Sequence, residues 1–369
     1  MAETNEATDV AIIGGGVIGL SIACAAARRG YATCVLEREQ RFGHGGSTHN
    51  SGVIHAGIYY PTDSMKAKLC VEGNERLYSF CQKHDIPHKR SGKLIVANSN
   101  NIAALETLAT RGLANGVQNL ELVDRAFIRN REPYVEAAAA LWSPSTGIVE
   151  TESLIRTLVK EATARDVSLL PSTQLEGSSD SVDALELRTT HETIMARSVV
   201  NAGGLYADEV SAAFGGDRFT IYPVRGDYAE LTSSAEHLIR GLVYPLPDAS
   251  GHGLGVHATR TTWGTVTLGP TARYQTQKND YESNRDSLEH FQKAACRFLP
   301  SLTIDQLKPG GSGIRARCAP EHIAFSDFKI VRDSHIPRLI HAAGIDSPGL
   351  TAAFAIAERI AELVDDTLS

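Results

Sequence analysis

Two rhythms of apolar positions organise the chain. A β-branched run, Asp9-Val10-Ala11-Ile12-Ile13, stops at Gly14-Gly15-Gly16, and small and apolar residues from Val17 to Ala27 then follow at helical spacing until Gly30 closes the segment. Ala32-Thr33-Cys34-Val35-Leu36 resumes as a strand that ends at Glu37. Strand, turn, helix and strand within about 30 residues make one βαβ unit. Residues 43–57, rich in Gly, Ser, Thr, His and Asn, predict a loop. Helical spacing returns over 64–84, through Met65, Leu69, Leu77 and Phe80, and again from Thr151 to Arg165. Ser168-Leu169-Leu170 and Ser198-Val199-Val200-Asn201-Ala202 predict strands, and the alternation with glycines over 219–231 and 254–269 predicts antiparallel sheet. Arg338 to Ala343 predicts a last strand, and Pro348-Gly349-Leu350 opens an apolar helix running to about Val364.

A chain of 369 residues exceeds one core, since domains hold roughly 100–200 residues, so two interleaved lobes are expected. With 42% hydrophobic residues, 21% charged residues and 32 glycines, the fold class is α/β and globular rather than disordered or collagen-like. The formal charge of −7 lacks the basic footprint of a nucleic-acid or anionic-membrane binder, although positive charge inside a cleft remains compatible with it. No apolar run approaches the roughly 18 residues of a membrane span. The polar, acidic start from Met1 to Asp9 lacks the marks of a secretory signal or transit peptide, so a cytoplasmic location is expected, with peripheral membrane contact open. Six cysteines without a CxxC pair argue against a disulfide framework or a zinc knuckle. There are no internal repeats and no low-complexity segments.

Gly14-x-Gly16-x-x-Gly19, between strand and helix, supplies what a pyrophosphate requires. The first glycine makes the tight turn, the second lets phosphate approach the backbone, and the third allows close helix–strand packing. The helix then offers free N–H groups and a partial positive charge. Glu37, at the end of the second strand, is placed to accept hydrogen bonds from ribose hydroxyls, and its carboxylate disfavours the 2′-phosphate of NADP.

Three further stretches decide which dinucleotide is expected. The N-terminal unit, the loop Ser47-Thr48-His49-Asn50-Ser51-Gly52-Val53-Ile54-His55-Ala56-Gly57-Ile58-Tyr59-Tyr60, and the tail Gly344-Ile345-Asp346-Ser347-Pro348-Gly349-Leu350-Thr351 together resemble FAD-dependent oxidoreductases of the D-amino-acid oxidase superfamily. Within it the chain is similar to the L-2-hydroxyglutarate dehydrogenase/oxidase group, through Gly92-Lys93-Leu94-Ile95-Val96-Ala97, Pro223-Val224-Arg225-Gly226-Asp227-Tyr228 and Gly255-Val256-His257 among others. The resemblance spans about Asp9 to Val364. Pro61-Thr62-Asp63 departs from it, as does Ser250-Gly251-His252-Gly253-Leu254.

What the resemblance implies is a discontinuous Rossmann-like FAD domain from residues 8–76, 147–215 and 309–366, interleaved with a mixed or antiparallel substrate domain from 77–146 and 216–308. It implies non-covalent FAD rather than a flavin tethered through Cys318. Gly14, Gly16, Val17, Ile18, Gly19, Glu37, Arg38, Ser47, Thr48, His49, Asn50, Ser51, Gly52, Leu175, Ala202, Gly203, Ser347, Gly349, Leu350 and Thr351 are the expected cofactor contacts. The final helix is expected to aim its N-terminus at the flavin ring, where reduction places negative charge.

The implied reaction takes a hydride from an L-2-hydroxy acid, with L-2-hydroxyglutarate foremost, and passes the electrons to oxygen or a quinone. Such a site needs a carboxylate clamp, for which arginine's planar fork is suited, and a base near neutrality, for which histidine is suited. Arg225 and Arg315 are the candidate clamps. His55 and His257 compete as base, and Tyr59, Tyr60 and Lys66 are candidate cleft residues. His44, His49 and His55 follow no metal-ligand spacing, so no metal is expected. The rival readings are an amino- or imino-acid oxidase of the same superfamily, an NAD-dependent dehydrogenase, and a non-catalytic nucleotide-binding module.

Overall fold

The computed structural model describes residues 7–247 and 255–369. The stretch 250–254 therefore lies outside the described residues, including Leu254 at the start of one expected strand segment.

Strand β1 (Thr8–Ile13) leads through the glycine turn into helix α1 (Val17–Arg28) and strand β2 (Thr33–Leu36). Helix α2 (Met65–Lys83) follows the long loop and is capped by Ser64, whose hydroxyl accepts the Ala67 N–H. Strand β3 (Lys93–Ala97), helix α3 (Thr151–Thr163), and strands β4 (Ser168–Leu170) and β5 (Thr193–Asn201) come next. Then come β6 (Tyr222–Leu231), β7 (Leu242–Pro245), β8 (His257–Arg260), β9 (Leu307–Arg317), β10 (Leu339–Ala343) and the closing helix α4 (Gly349–Leu368).

Among the described residues the first sheet has eight strands: a parallel core runs β4-β2-β1-β5-β10, and Leu175–Asp180, Leu185–Thr189 and Lys329–Arg332 add to it in antiparallel fashion. Val10, Ala11 and Ile12 are wholly buried, because helices cover one face and a second apolar layer covers the other. That double cover explains why β1 reads as a continuous apolar run rather than an alternating one. Connections between neighbouring parallel strands require crossovers, and α1 provides the first.

Among the described residues the second sheet has nine strands and is mostly antiparallel. β7 joins β3 in parallel and β8 in antiparallel fashion, while β6 pairs along nearly its whole length with β9, from Tyr222 opposite Arg317 to Leu231 opposite Leu307. The domain division expected from sequence assigns residues from 309 onward to the nucleotide unit. By its pairing, β9 belongs to the second sheet as far as Arg317. Within the segment 254–269, expected to be antiparallel sheet, β8 and Val266–Gly269 pair antiparallel across a turn.

Two glycines set close approaches that fix the geometry. A Cβ on Gly19 would lie 1.9 Å from the Gly14 carbonyl oxygen, so α1 presses directly onto the turn that precedes it. A Cβ on Gly73 of α2 would lie 2.3 Å from the Thr351 carbonyl oxygen and 2.7 Å from the Ala352 Cα, so the first turn of α4 is seated against the backbone of α2. Asp333, His341 and Asp217 form a separate polar cluster away from these contacts. Asp333 accepts from the Asp217, His335 and Ile336 N–H groups and pairs with His341 Nε2 at 2.8 Å. Burial works to raise its pKa, but these donors bring it down to about 2. The spacing of the three side chains would suit a metal ion, yet their atoms are taken up by internal hydrogen bonds that tie the end of the first sheet to the loop after residue 213.

Gly73→Ala should cost about 1–3 kcal/mol through overpacking against α4. The control Gly311→Ala, which meets nothing within 4 Å, should change stability by less than about 0.5 kcal/mol. Chemical denaturation of the two variants checks the difference; equal effects would show that α2 and α4 have slack between them.

Candidate active site

Between the two sheets lies a cavity of about 1550 Å³, larger than the roughly 300–1,000 Å³ of a pocket for one small molecule. It runs from the β1–α1 turn to β8, β9 and the start of α4. Its wall carries eight Lys or Arg and five Asp or Glu residues, although the whole chain has a formal charge of −7. The positive cleft inside an acidic protein favours anionic ligands.

At one end the glycine turn shapes the wall. Gly14 has φ +112° and its missing Cβ would sit 2.3 Å from the Ala202 carbonyl oxygen, so no other residue fits there. Gly16 caps α1 without a side-chain hydrogen bond, and the Val17 N–H donates to Ser47 Oγ at 2.9 Å. Gly14, Gly16, Val17 and Ile18 thus face the cavity with a helix N-terminus behind them. Glu37 accepts from the Gly15 and Glu39 N–H groups at 2.8 and 2.9 Å. Burial raises its pKa against the pull of those two donors. Arg38 lies over the Tyr206 ring, 3.6 Å from its centroid, and pairs with Glu39. Leu175, Ala202 and Gly203 complete this end.

The loop after residue 43 crosses the cavity's middle. Ser47, His49, Asn50 and Ser51 line it; Thr48 and Gly52 do not. Thr48 Oγ1 donates to the Gly43 carbonyl, and Gly52, at φ +63°, packs against the Val149 carbonyl, so these two hold the loop's shape. Gly19 serves packing and likewise stays off the wall. A Cβ on Gly313 would lie 2.2 Å from the His49 carbonyl oxygen, which brings β9, and with it Arg315, against this loop.

At the other end the last helix meets the loop. Thr351 is buried and does not face the cavity: its Oγ1 accepts the His55 N–H at 2.9 Å, while Asn74 of α2 donates to the His55 carbonyl at 2.8 Å. His55 is therefore held between α2 and α4. Its Nε2 lies 3.2 Å from Ser347 Oγ and its Nδ1 has no partner among the described residues. Burial, then the charges of Lys93, His257 and Arg315, keeps its pKa well below the ordinary histidine value. His257 has Nδ1 2.9 Å from the Gly255 carbonyl, which assigns the proton to Nδ1 and leaves Nε2 as an acceptor. Its ring stacks on Tyr244 at 3.7 Å, and burial pushes its pKa down to about 3. Both imidazoles are neutral at physiological pH.

The candidate clamps separate. Arg315 lines the cavity, and among the described residues no carboxylate lies within 4.0 Å of it. Arg225 is a correction to the sequence expectation: it is 2% exposed, does not line the cavity, and its Nε lies 3.0 Å from Asp227, with Asp280 beyond. Strand alternation turns the Arg225 side chain away from the cleft, where Asp227 already balances its charge. Tyr59 and Tyr60 line the wall, and Tyr59 Oη has no partner among the described residues. Lys66 lines it too, but its Nζ pairs with Asp346 at 2.6 Å in a buried ion pair, so its charge is spent joining α2 to the loop before α4. Cys318 does not line the cavity. Sequence reasoning missed Tyr206 and Tyr244, which line the cavity. Neither carries a local signal in the sequence.

These features fit an FAD group. A glycine turn with no room for a Cβ, an uncapped α1 N-terminus, Glu37 at the end of β2, and a second uncapped N-terminus at Pro348–Gly349 all face one cavity. An α/β sheet of this kind receives ligands at the carboxyl ends of its strands, which is where β1 and β2 end.

Comparison with known proteins agrees. Residues 9–363 match the family described as FAD dependent oxidoreductase. The chain is 34% identical to the mitochondrial L-2-hydroxyglutarate dehydrogenase of Nematostella vectensis, covering 98% of this chain and 91% of that protein. It is 33% identical to the Bos taurus protein of the same name, covering 96% and 88%. The FAD-bound, dithionite-reduced L-alpha-glycerophosphate oxidase of Mycoplasma pneumoniae superposes with a TM-score of 0.88 at 27% identity, covering 98% of this chain and 95% of that one. The cytoplasmic location expected from the polar N-terminus is corrected by these comparisons, because the curated relatives are named as mitochondrial proteins. Composition at one end of a chain does not determine its compartment. Among the described residues no helix is long and apolar enough to cross a membrane. With a dinucleotide turn, a cavity large enough for cofactor and substrate together, and a family match over nearly its whole length, this chain belongs to the FAD dependent oxidoreductases.

Proposed function

We propose that the protein oxidises an L-2-hydroxy acid, with L-2-hydroxyglutarate as the foremost substrate, to the corresponding 2-oxo acid. The observation that carries this reading is Arg315, a cation on the cavity wall with no acid partner among the described residues, near two neutral histidines. The names of the curated relatives support the choice of substrate. FAD, when bound, supplies the hydride acceptor. Its pyrophosphate would lie against Gly14, Gly16, Val17 and Ile18, its ribose against Glu37, and its ring near Ser347, Gly349 and Leu350.

The residues of the chain do the rest. Arg315 holds the substrate carboxylate through its planar fork and fixes which face of the carbon is presented. As hydride leaves, the hydroxyl proton must go to a neutral base in reach, and His55 and His257 are the two groups able to take it. Because both are uncharged before substrate binds, neither has to lose a proton first. The N-terminus of α4 stabilises negative charge that develops beside it. Tyr59 and Tyr60 close the wall against water. The electrons then leave to oxygen or a quinone.

Anaerobic flavin bleaching tests the reaction class: L-2-hydroxyglutarate should bleach the protein, while its D enantiomer, amino acids and glycerol phosphate should not. Bleaching by amino acids alone would replace this reading with an amine oxidation. Arg315→Met should raise KM about 10²-fold, the worth of a lost charge-assisted contact. Whichever of His55→Ala and His257→Ala lowers the rate of flavin reduction by about 10²–10⁴-fold identifies the base. Loss of neither would sink the mechanism.

The pH profile has a defined sign. A histidine with an ordinary pKa near 6.5 would lose activity as pH falls through that value. Here the base form persists to lower pH, since burial holds His55 well below its ordinary value and His257 at about 3. The acid limb of kcat/KM should therefore lie well below the ordinary histidine value near 6.5, and an acid limb at that value would contradict it. Glu37→Ala should weaken flavin retention about 10–100-fold, measured by flavin release on dilution.

A further inference from the structure

Lys66 and Asp346 form a buried ion pair to which the reaction above gives no part. Nζ and Oδ1 lie 2.6 Å apart, the side chains are 6% and 8% exposed, and both residues line the cavity. Among the described residues Lys66 has no other carboxylate, and Asp346 no other cation, within 4.0 Å. Asp327, the other acid at this end of α2, is occupied by backbone: it accepts the Met65 and Lys66 N–H groups at 2.8 and 2.9 Å. The Phe328 and Phe325 ring centroids lie 5.4 and 5.7 Å from the ammonium and add apolar cover. The other ionisable groups that sense Asp346 are Tyr60 on the loop before α2, Tyr274, and Cys318 just after β9. Burial raises the pKa of all three, so each is neutral at physiological pH. The charge of Asp346 is therefore balanced by Lys66 alone.

The position of that acid gives the pair a consequence. The Asp346 carbonyl accepts the Gly349 N–H at 2.6 Å and closes the turn into α4, while the Leu350 N–H finds no backbone acceptor among the described residues. Asp346 thus stands directly ahead of a helix end that favours negative charge. A bare carboxylate at that point would cancel the benefit, because like charges in a buried site repel strongly. Lys66, 280 residues away in the chain, supplies the opposite charge. We infer that Lys66 is a positioning residue that acts through Asp346: by neutralising that carboxylate it preserves the ability of the α4 N-terminus to stabilise negative charge on the flavin ring, and so sets the ring's affinity for electrons. This rests on the placement of the ring beside Ser347, Gly349 and Leu350 given above, and not on which substrate is oxidised. The acid in turn is what allows Lys66 to be buried, since an ammonium without a partner is costly in the interior. The pair makes and breaks no bond; its effect is purely electrostatic.

The flavin-loaded protein tests this without any substrate. Sulfite adds to oxidised flavin and leaves a negative charge on the ring, so its Kd and the two-electron midpoint potential both read the charge nearby. Lys66→Met leaves Asp346 unbalanced and should weaken sulfite binding at least about tenfold, the order expected for one uncompensated charge in a buried site. The potential should fall in step, by about 30 mV for each factor of ten. Asp346→Asn leaves Lys66 unbalanced and should move both readouts the other way by a similar factor. The double variant Lys66→Met/Asp346→Asn is neutral again and should return both readouts to within about threefold of the wild-type protein. A joint that only holds α2 to the last loop predicts a different pattern, in which both single variants shift the readouts in the same direction and the double variant recovers nothing. That pattern, or an Asp346→Asn protein indistinguishable from wild type, would overturn the inference. If Lys66→Met fails to fold, the sign of the shift in Asp346→Asn, which nearly preserves side-chain shape, decides. Unmoved readouts in a protein that L-2-hydroxyglutarate still bleaches would remove the inference and leave hydroxy-acid oxidation standing. Opposite shifts in a protein that no hydroxy acid bleaches would do the reverse.

Discussion

Everything at the reacting end depends on one hydrogen bond between parts of the chain almost 300 residues apart. Thr351 Oγ1 accepts the His55 N–H, and the same hydroxyl lies 3.4 Å from the Val53 carbonyl. The bond can form only because Gly73 lets the first turn of α4 rest on the backbone of α2. Asn74, the next residue of α2, then takes the His55 carbonyl. One loop residue is thus gripped through both of its backbone polar groups, and its imidazole is presented beside the free end of the last helix. A buried backbone N–H or C=O has to be paired somewhere, so this grip satisfies a cost that burial would otherwise impose.

Charge is handled by the same logic of pairing. Arg225 and Lys66 are buried cations whose acids are in place, at Asp227 and Asp346, and they hold elements together. Arg315 lines the cavity with no acid within 4.0 Å among the described residues, and its charge acts on the histidine pair. An ion pair completed inside the protein has little left to offer a ligand, whereas an uncompensated cation gains most from an incoming carboxylate. The contrast separates cations already spent on the fold from one left facing the cavity. It also explains how a protein of net negative charge can receive an acid: attraction is set by the local wall, not by the total.

The nucleotide end was legible because its chemistry is local. The turn, the helix start and the acid at the end of the next strand lie within 24 residues, and each has its own steric or electrostatic reason, visible in Gly14 at φ +112° and in Glu37 reaching back to Gly15. The helices over 64–84 and 151–165 were read nearly to their ends for the same reason, since spacing on one face is a property of neighbours. Arg225 was misread because its motif says nothing about which face of β6 points to the cleft, and Asp227, two residues along the same face, captured it. The compartment was misread because an acidic, polar N-terminus constrains it so weakly.

The order of residues by itself determined a βαβ nucleotide unit, a final helix with an open N-terminus, and a set of arginines and histidines from which a site could be made. The fold decided which of these residues meet. Pairing of β9 with β6 brought Arg315 to the loop at His49, stacking on Tyr244 oriented His257, and burial set Lys93 between two rings rather than on the cavity wall. The physical reason is that burial and pairing are long-range properties. Whether a charge is neutralised or held ready for a ligand depends on side chains brought to it from distant strands, and local sequence carries no record of them.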